Sequence, residues 1–238
     1  MSDGIRVFSG GALTVLAIVL IVALVILIVP LLVLGITGAA FVRLGFSWIT
    51  ALAVILLMLL GSAVNIPVYR VKRDTIRLSD NYSASPDFDE NPESRIWDTV
   101  ISINLGGAIL PLVISAYLVY RAGLIAGSPL AVPVCAGILV VSAVTFVATR
   151  AVPGAGLRVP LLIPALTALL VALLLAGGVG LDAAVSAFVS GVVGTLLGGS
   201  IAQLPRVKDL DIAEVSIGGG GSFAPLFICC ILPALIAG

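Results

Sequence analysis

Polar residues are confined to narrow bands in this chain. Between the bands run seven apolar stretches, at residues 12–34, 46–66, 100–120, 133–148, 160–178, 183–204 and 222–237. The stretches are continuous, without in-out alternation, so they predict helices and not strands. Most approach the roughly 20 residues needed to cross a bilayer. The last is short, which leaves a tilted span or a re-entrant piece open. The pattern therefore predicts an all-α integral membrane protein with seven transmembrane helices. The first stretch exceeds the roughly 7–15 apolar residues of a cleavable signal, so it reads as a retained helix.

Composition supports the membrane assignment and removes several chemistries. Hydrophobic residues make up 61% of the 238 and charged residues only 10%; a soluble domain carries roughly 25% charged. The formal net charge is zero, which gives nucleic acid no electrostatic footing. There is no His. That excludes Ser-His-Asp and Cys-His catalysis and every His-ligated metal site. Cys135, Cys229 and Cys230 lie in apolar runs without a C-x-x-C spacing, so they read as small packing residues. No cofactor or metal site is expected.

Charge orients the spans. With seven spans, ten of the twelve basic residues fall on one side, at Arg6, Arg70, Lys72, Arg73, Arg77, Arg95, Arg150, Arg158, Arg206 and Lys208. Only Arg43 and Arg121 fall on the other. The positive-inside rule then puts the N-terminus in the cytoplasm and the C-terminus outside the cell membrane. The hydrophilic segment 70–98 becomes a cytoplasmic loop. It starts basic, ends acidic and carries Pro86 and Pro92, a composition with little regular structure. Its basic half is expected at anionic headgroups. The glycosylation sequon at Asn81 has no meaning on that side.

Two motifs recur in the same order. Gly61-Ser62-Ala63-Val64-Asn65-Ile66-Pro67 returns as Gly199-Ser200-Ile201-Ala202-Gln203-Leu204-Pro205. Ser102-Ile103-Asn104-Leu105-Gly106-Gly107 returns as Ser216-Ile217-Gly218-Gly219-Gly220-Gly221. Such duplication is a common construction of membrane transporters. Here it predicts a single transmembrane domain over 1–238: one triplet at about 10–120, an inverting linker helix at about 131–149, and a parallel second triplet at about 158–238. This 3+1+3 plan resembles the sugar-transporting SWEET family in layout only, a fold-level analogy.

The candidate site follows from the second motif. Four consecutive glycines cost roughly 1 kcal/mol each relative to Ala in a helix, so 218–221 is expected to be unwound, with the last helix starting near Ser222. Unwound backbone at membrane depth must be buried in protein or line a cavity. Asn104, Gly106, Gly107, Ser216, Gly218, Gly219, Gly220, Gly221 and Ser222 are thus candidates to hold a small solute or ion, through helix N-termini or free carbonyls. The competing reading is close helix packing. Asn65 and Gln203, equivalent amides before Pro67 and Pro205, are candidates for a gate or for interhelical hydrogen bonds. No Asp or Glu falls mid-span. Asp98, Asp209, Asp211 and Glu214 read as caps and headgroup-level ion pairs, which disfavours proton coupling.

Pro233-Ala234-Leu235 is similar to the Pro-Ala-Leu of presenilin-type intramembrane aspartyl proteases. The tripeptide also occurs at Pro164-Ala165-Leu166, and no pair of intramembrane aspartates accompanies it. Asn65-Ile66-Pro67, Ser102 to Gly107 and Ser216 to Phe223 resemble an uncharacterised prokaryotic multi-pass membrane family, domain of unknown function 1614. The resemblance implies a membrane protein without an established activity. Relatives tend to carry an Asp aligned with Gly199-Ser200 and an Asp-Gly aligned with Ala224-Pro225, so it also implies that this chain lacks their acidic groups. The leading expectation is a non-enzymatic transporter or channel-like protein with its site between the repeats. The alternatives are a structural or assembly protein acting through loop 70–98, with a membrane partner or a second copy, and, third, an intramembrane hydrolase.

Overall fold

A computed structural model describes residues 12–71, 99–126, 130–152, 156–207 and 212–238. Most of loop 70–98, with its sequon and most of its charges, lies outside the described residues, as do Asp209 and Asp211. The elements run α1 (Ala12–Arg43), α2 (Trp48–Gly61), β1 (Asn65–Val71), β2 (Thr99–Asn104), α3 (Leu110–Ala126), α4 (Ala131–Ala148), β3 (Arg150–Val152), β4 (Gly156–Arg158), α5 (Ile163–Leu175), α6 (Leu181–Gly199), α7 (Leu204–Val207), β5 (Glu214–Ile217) and α8 (Phe223–Ala237).

The chain is mostly helical. Among the described residues four helical stretches are long and apolar enough to cross a membrane: Ala17–Arg43, Leu105–Gly123, Ala131–Ala148 and Leu181–Val207. α2, α5 and α8 are shorter, at 14, 13 and 15 residues. At about 1.5 Å per residue they extend about 20–23 Å, less than the roughly 30 Å of a hydrocarbon core.

α6 is the hub. Fifteen of its 19 residues are buried, and α3, α4, α5 and α8 all pack on it. Small residues make that possible. A Cβ on Gly194 would stand 2.7 Å from the Val141 side chain, and one on Gly198 would strike the Ser142 carbonyl. On the α4 side, Gly137 faces Ser190. The helix axes therefore approach to backbone contact, as small-residue seams allow in membranes.

The strands correct the expectation of an all-helical chain. β1, β2 and β5 form one sheet in the order β1-β2-β5, and β3 and β4 form a hairpin. The apolar run at 46–66 is helical only to Gly61, and that at 100–120 begins as a strand. Composition accounts for this. Ile66, Val68, Tyr69 and Val71, then Val100, Ile101 and Ile103, are β-branched or aromatic residues that fit a pleated surface. Pro67 lacks an N–H and sits on edge strand β1, where the register slips between Pro67 and Tyr69, an accommodation suited to an edge.

β1 pairs antiparallel with β2, matching Asn65 to Asn104. β2 pairs parallel with β5, matching Ser102 to Ser216 and Ile103 to Ile217. The two copies of the Ser-Ile motif thus lie side by side in register. Strand alternation places Asn65, Ser102, Asn104, Glu214 and Ser216 on one face. Ile103 and Ile217, on the other face, pack against the helical core.

The sheet and the hairpin gather at one end of the bundle, where α2, α4 and α6 end and α3, α5 and α8 begin. Arg70, Arg150, Arg158 and Arg206 lie at that end. At the other end Arg43 donates to the carbonyls of Leu235 and Gly238, at 2.7 and 2.8 Å, and Arg121 donates to that of Gly45. Each satisfies backbone oxygens left over where a helix or turn ends.

Candidate functional site

The site begins with the junction of β2 and α3. Asn104 ends the strand, and a single π-turn over Leu105–Ile109 leads into the helix. The buried Asn104 accepts from the Gly107 N–H at 2.7 Å. It donates to the Ser62 carbonyl at 2.7 Å and to Asn65 Oδ1 at 2.9 Å. Ser216 Oγ donates to the same Asn65 oxygen at 2.8 Å. Ser102 donates to Glu214 Oε1. One polar network therefore ties α2, β1, β2 and β5 together.

This network sets orientation. A backbone N–H can only donate, so the oxygen of Asn104 must face Gly107 and its nitrogen must face Asn65. The oxygen of Asn65 then faces inward to two donors. Its own NH2 group makes no hydrogen bond among the described residues.

The glycines divide into two groups. Gly106 and Gly107 are buried against backbone: a Cβ on Gly106 would meet the Met58 carbonyl, and one on Gly107 the Gly218 carbonyl. Gly218, at φ +77°, takes the left-handed conformation that favours glycine and touches Ala108 in return. Gly219 is buried beside Ser216 and Asn65. Gly220 and Gly221 are exposed. The segment 218–221 is not helical, and Ser222 is the N-cap of α8.

A cavity of about 600 Å³ opens beside this turn. Asn65, Ser216, Gly220, Gly221 and Ser222 line it. So do Ser200, Arg158 and Glu214, which the sequence did not single out as binding residues. Ser200 is the second-copy counterpart of Ser62, and that correspondence was the available signal. Ser200 is only 3% exposed; its backbone bonds to Leu196 and Gln203, and its hydroxyl makes no hydrogen bond among the described residues. The hairpin forms another wall: Leu157 packs on Val215 and Val207, and the Val159 N–H donates to the Gly221 carbonyl at 3.3 Å.

Gln203 sits apart from the cavity. Buried in the turn after α6, it donates to the Phe146 carbonyl at 2.8 Å and accepts from Arg206 at 2.8 Å. Arg206 in turn stacks over the Phe146 ring, 4.8 Å from its centroid. Asn65 and Gln203 thus occupy different surroundings, one in strand β1 and one at the seam of α6 with α4. Cys229 and Cys230 are buried, and Cys135 is exposed. Among the described residues no cluster of His, Cys, Asp or Glu could hold a metal ion.

Neither the curated proteins nor the solved structures contain a match to this chain. One family model does match, over residues 59–236. That span holds both motif copies, the sheet and the cavity, and leaves out α1 and most of α2. The chain therefore belongs to the DUF1614 family of proteins of unknown function.

Proposed function

We propose that this membrane protein is a transporter or channel-like protein that binds a small polar solute in the cavity between β5, the β3–β4 hairpin and the start of α8. The observation that supports this reading is a cavity lined by polar residues of both motif copies, Asn65 from the first and Ser200, Ser216 and Ser222 from the second. Gly106, Gly107 and Gly218 serve the reading as packing residues that hold the two copies together; the binding groups are Asn65, Ser200, Ser216, Ser222, Arg158 and Glu214. The arrangement proposed is two parallel triplets around α4, in the cell membrane, with the sheet end facing the cytoplasm. Rocking of one triplet against the other would expose the cavity alternately.

The test is a thermal-unfolding screen of metabolites on the purified chain, followed by uptake into proteoliposomes. A solute that raises the melting temperature and is accumulated supports transport. Binding without flux in either direction would leave a binding protein and defeat the transport reading.

A second reading, a structural or assembly protein, is favoured by the backbone-to-backbone seats of Gly106, Gly107 and Gly218. It predicts that deleting most of loop 70–98 abolishes capture of a membrane partner, whereas transport would survive in part.

A further inference from the structure

The cavity carries two opposite charges that do not satisfy each other. Arg158 on β4 and Glu214 on β5 both line it. The Arg158 guanidinium makes no hydrogen bond or ion pair among the described residues. Glu214 has one carboxylate oxygen engaged, by the Ser102 hydroxyl, and the other without a partner among the described residues. Three further groups converge there. The Asn65 NH2 is directed away from its own network, because two donors hold its oxygen. Ser200 offers a hydroxyl from the cavity wall. Ser216 has spent its proton on Asn65 and retains its acceptor capacity.

We propose that the cavity takes a zwitterion: a small molecule bearing an anionic oxyacid group and a primary ammonium group. The oxyacid is received by Arg158, the Asn65 NH2 and the Ser200 hydroxyl; the ammonium is received by Glu214 and the Ser216 oxygen. The donor set alone would suit a plain anion, but Glu214 in the same wall would repel one. The acceptor set alone would suit a plain cation, which Arg158 would repel. Only a ligand carrying both charges uses every group. A free amino acid and the ethanolamine-phosphate headgroup of a lipid share this chemistry. This inference rests on the cavity being a solute site, as proposed above.

The experiment measures binding to the purified full-length chain by calorimetry and thermal unfolding. The soluble probes are a panel of free amino acids, glycylglycine, acetate and methylammonium, with the chain in phosphatidylcholine nanodiscs. The lipid arm replaces phosphatidylcholine with phosphatidylethanolamine or phosphatidylglycerol. At least one zwitterion should bind, with acetate and methylammonium far weaker. Arg158→Gln and Glu214→Gln should each weaken it about tenfold or more, as expected for losing a charge-assisted bond. Glu214→Gln keeps an acceptor for Ser102, so the sheet is retained. Stabilisation by phosphatidylethanolamine alone, lost in both variants, would identify the headgroup as the zwitterion; a soluble amino acid acting in phosphatidylcholine would identify a free solute. Acetate binding as tightly as any amino acid, with Glu214→Gln unchanged, would overturn the zwitterion. If Ser200→Trp then abolished the acetate effect, the cavity would stand as a solute site. No response to any probe or lipid would overturn both readings.

Discussion

Asn104 donates to Asn65 Oδ1 at 2.9 Å, and this bond decides which end of the Asn65 amide faces the cavity. Replacing Asn104 by Ala strands the buried Gly107 N–H and the Ser62 carbonyl. We expect a loss of about 3 kcal/mol, the scale of two or three buried hydrogen bonds removed from one side. Thermal or denaturant unfolding of Asn104→Ala in detergent measures it; a change within error would mean the network carries no stability. Asn104→Asp should not rescue, because it sets an oxygen against the oxygens of Ser62 and Asn65.

The glycines of the second motif should respond unequally to a methyl group. Gly107→Ala drives a Cβ into the Gly218 carbonyl and should cost about 3 kcal/mol or fail to fold, as overpacking against backbone does. Gly220→Ala meets nothing within 4 Å and should stay within about 0.5 kcal/mol of the parent. Equal responses would contradict the division into packed and open glycines.

The α4–α6 seam makes a similar contrast. Gly198→Ala collides with the Ser142 carbonyl and should destabilise by at least about 2 kcal/mol. Gly123→Ala in α3 finds open space and should stabilise by about 0.5–1 kcal/mol through helix propensity alone. Expression level and melting temperature of the two variants suffice to compare them.

Arg43 closes the far end of the bundle on two carbonyls of the last residues. Arg43→Ala should lower stability by about 1–2 kcal/mol, with Arg43→Lys partly restoring it. Labelling of introduced cysteines, in a Cys135→Ser background that keeps only the buried Cys229 and Cys230, should also place positions 44–47 on the side of the membrane opposite Arg70, Arg150 and Arg158. Labelling of all of them from one side would refute the orientation.

Hydropathy and the glycine run made the helices and the unwound 218–221 segment legible in advance, including a last helix that starts near Ser222, its N-cap. The sheet was not legible in the same way. Val100, Ile101 and Ile103 carry the same apolar signal as a helix interior, and the polar residues between them, Ser102 and Asn104, were read as motif positions and not as the alternation of a strand. Spacing also related Asn65 to Gln203, yet they make unlike contacts: Ile66 to Val71 extend a strand after Asn65, whereas Leu204 to Val207 continue as a helical turn after Gln203. Arg158 could not be tied to a site from sequence alone. The hairpin that brings Arg158 to the cavity depends on Leu157 meeting Val215, a contact between distant segments.

The parallel pairing of β2 with β5 also sets a temporal order. Its Ser102–Glu214 contact links residues 112 positions apart, and Arg43 reaches a carbonyl 195 positions away. Contacts of such separation form late, because the intervening chain must first be confined. During synthesis β2 therefore waits with one edge unmatched until β5 has emerged. The cavity gains its β5 wall, and Arg158 and Glu214 come to share a space, only once β5 has docked on β2.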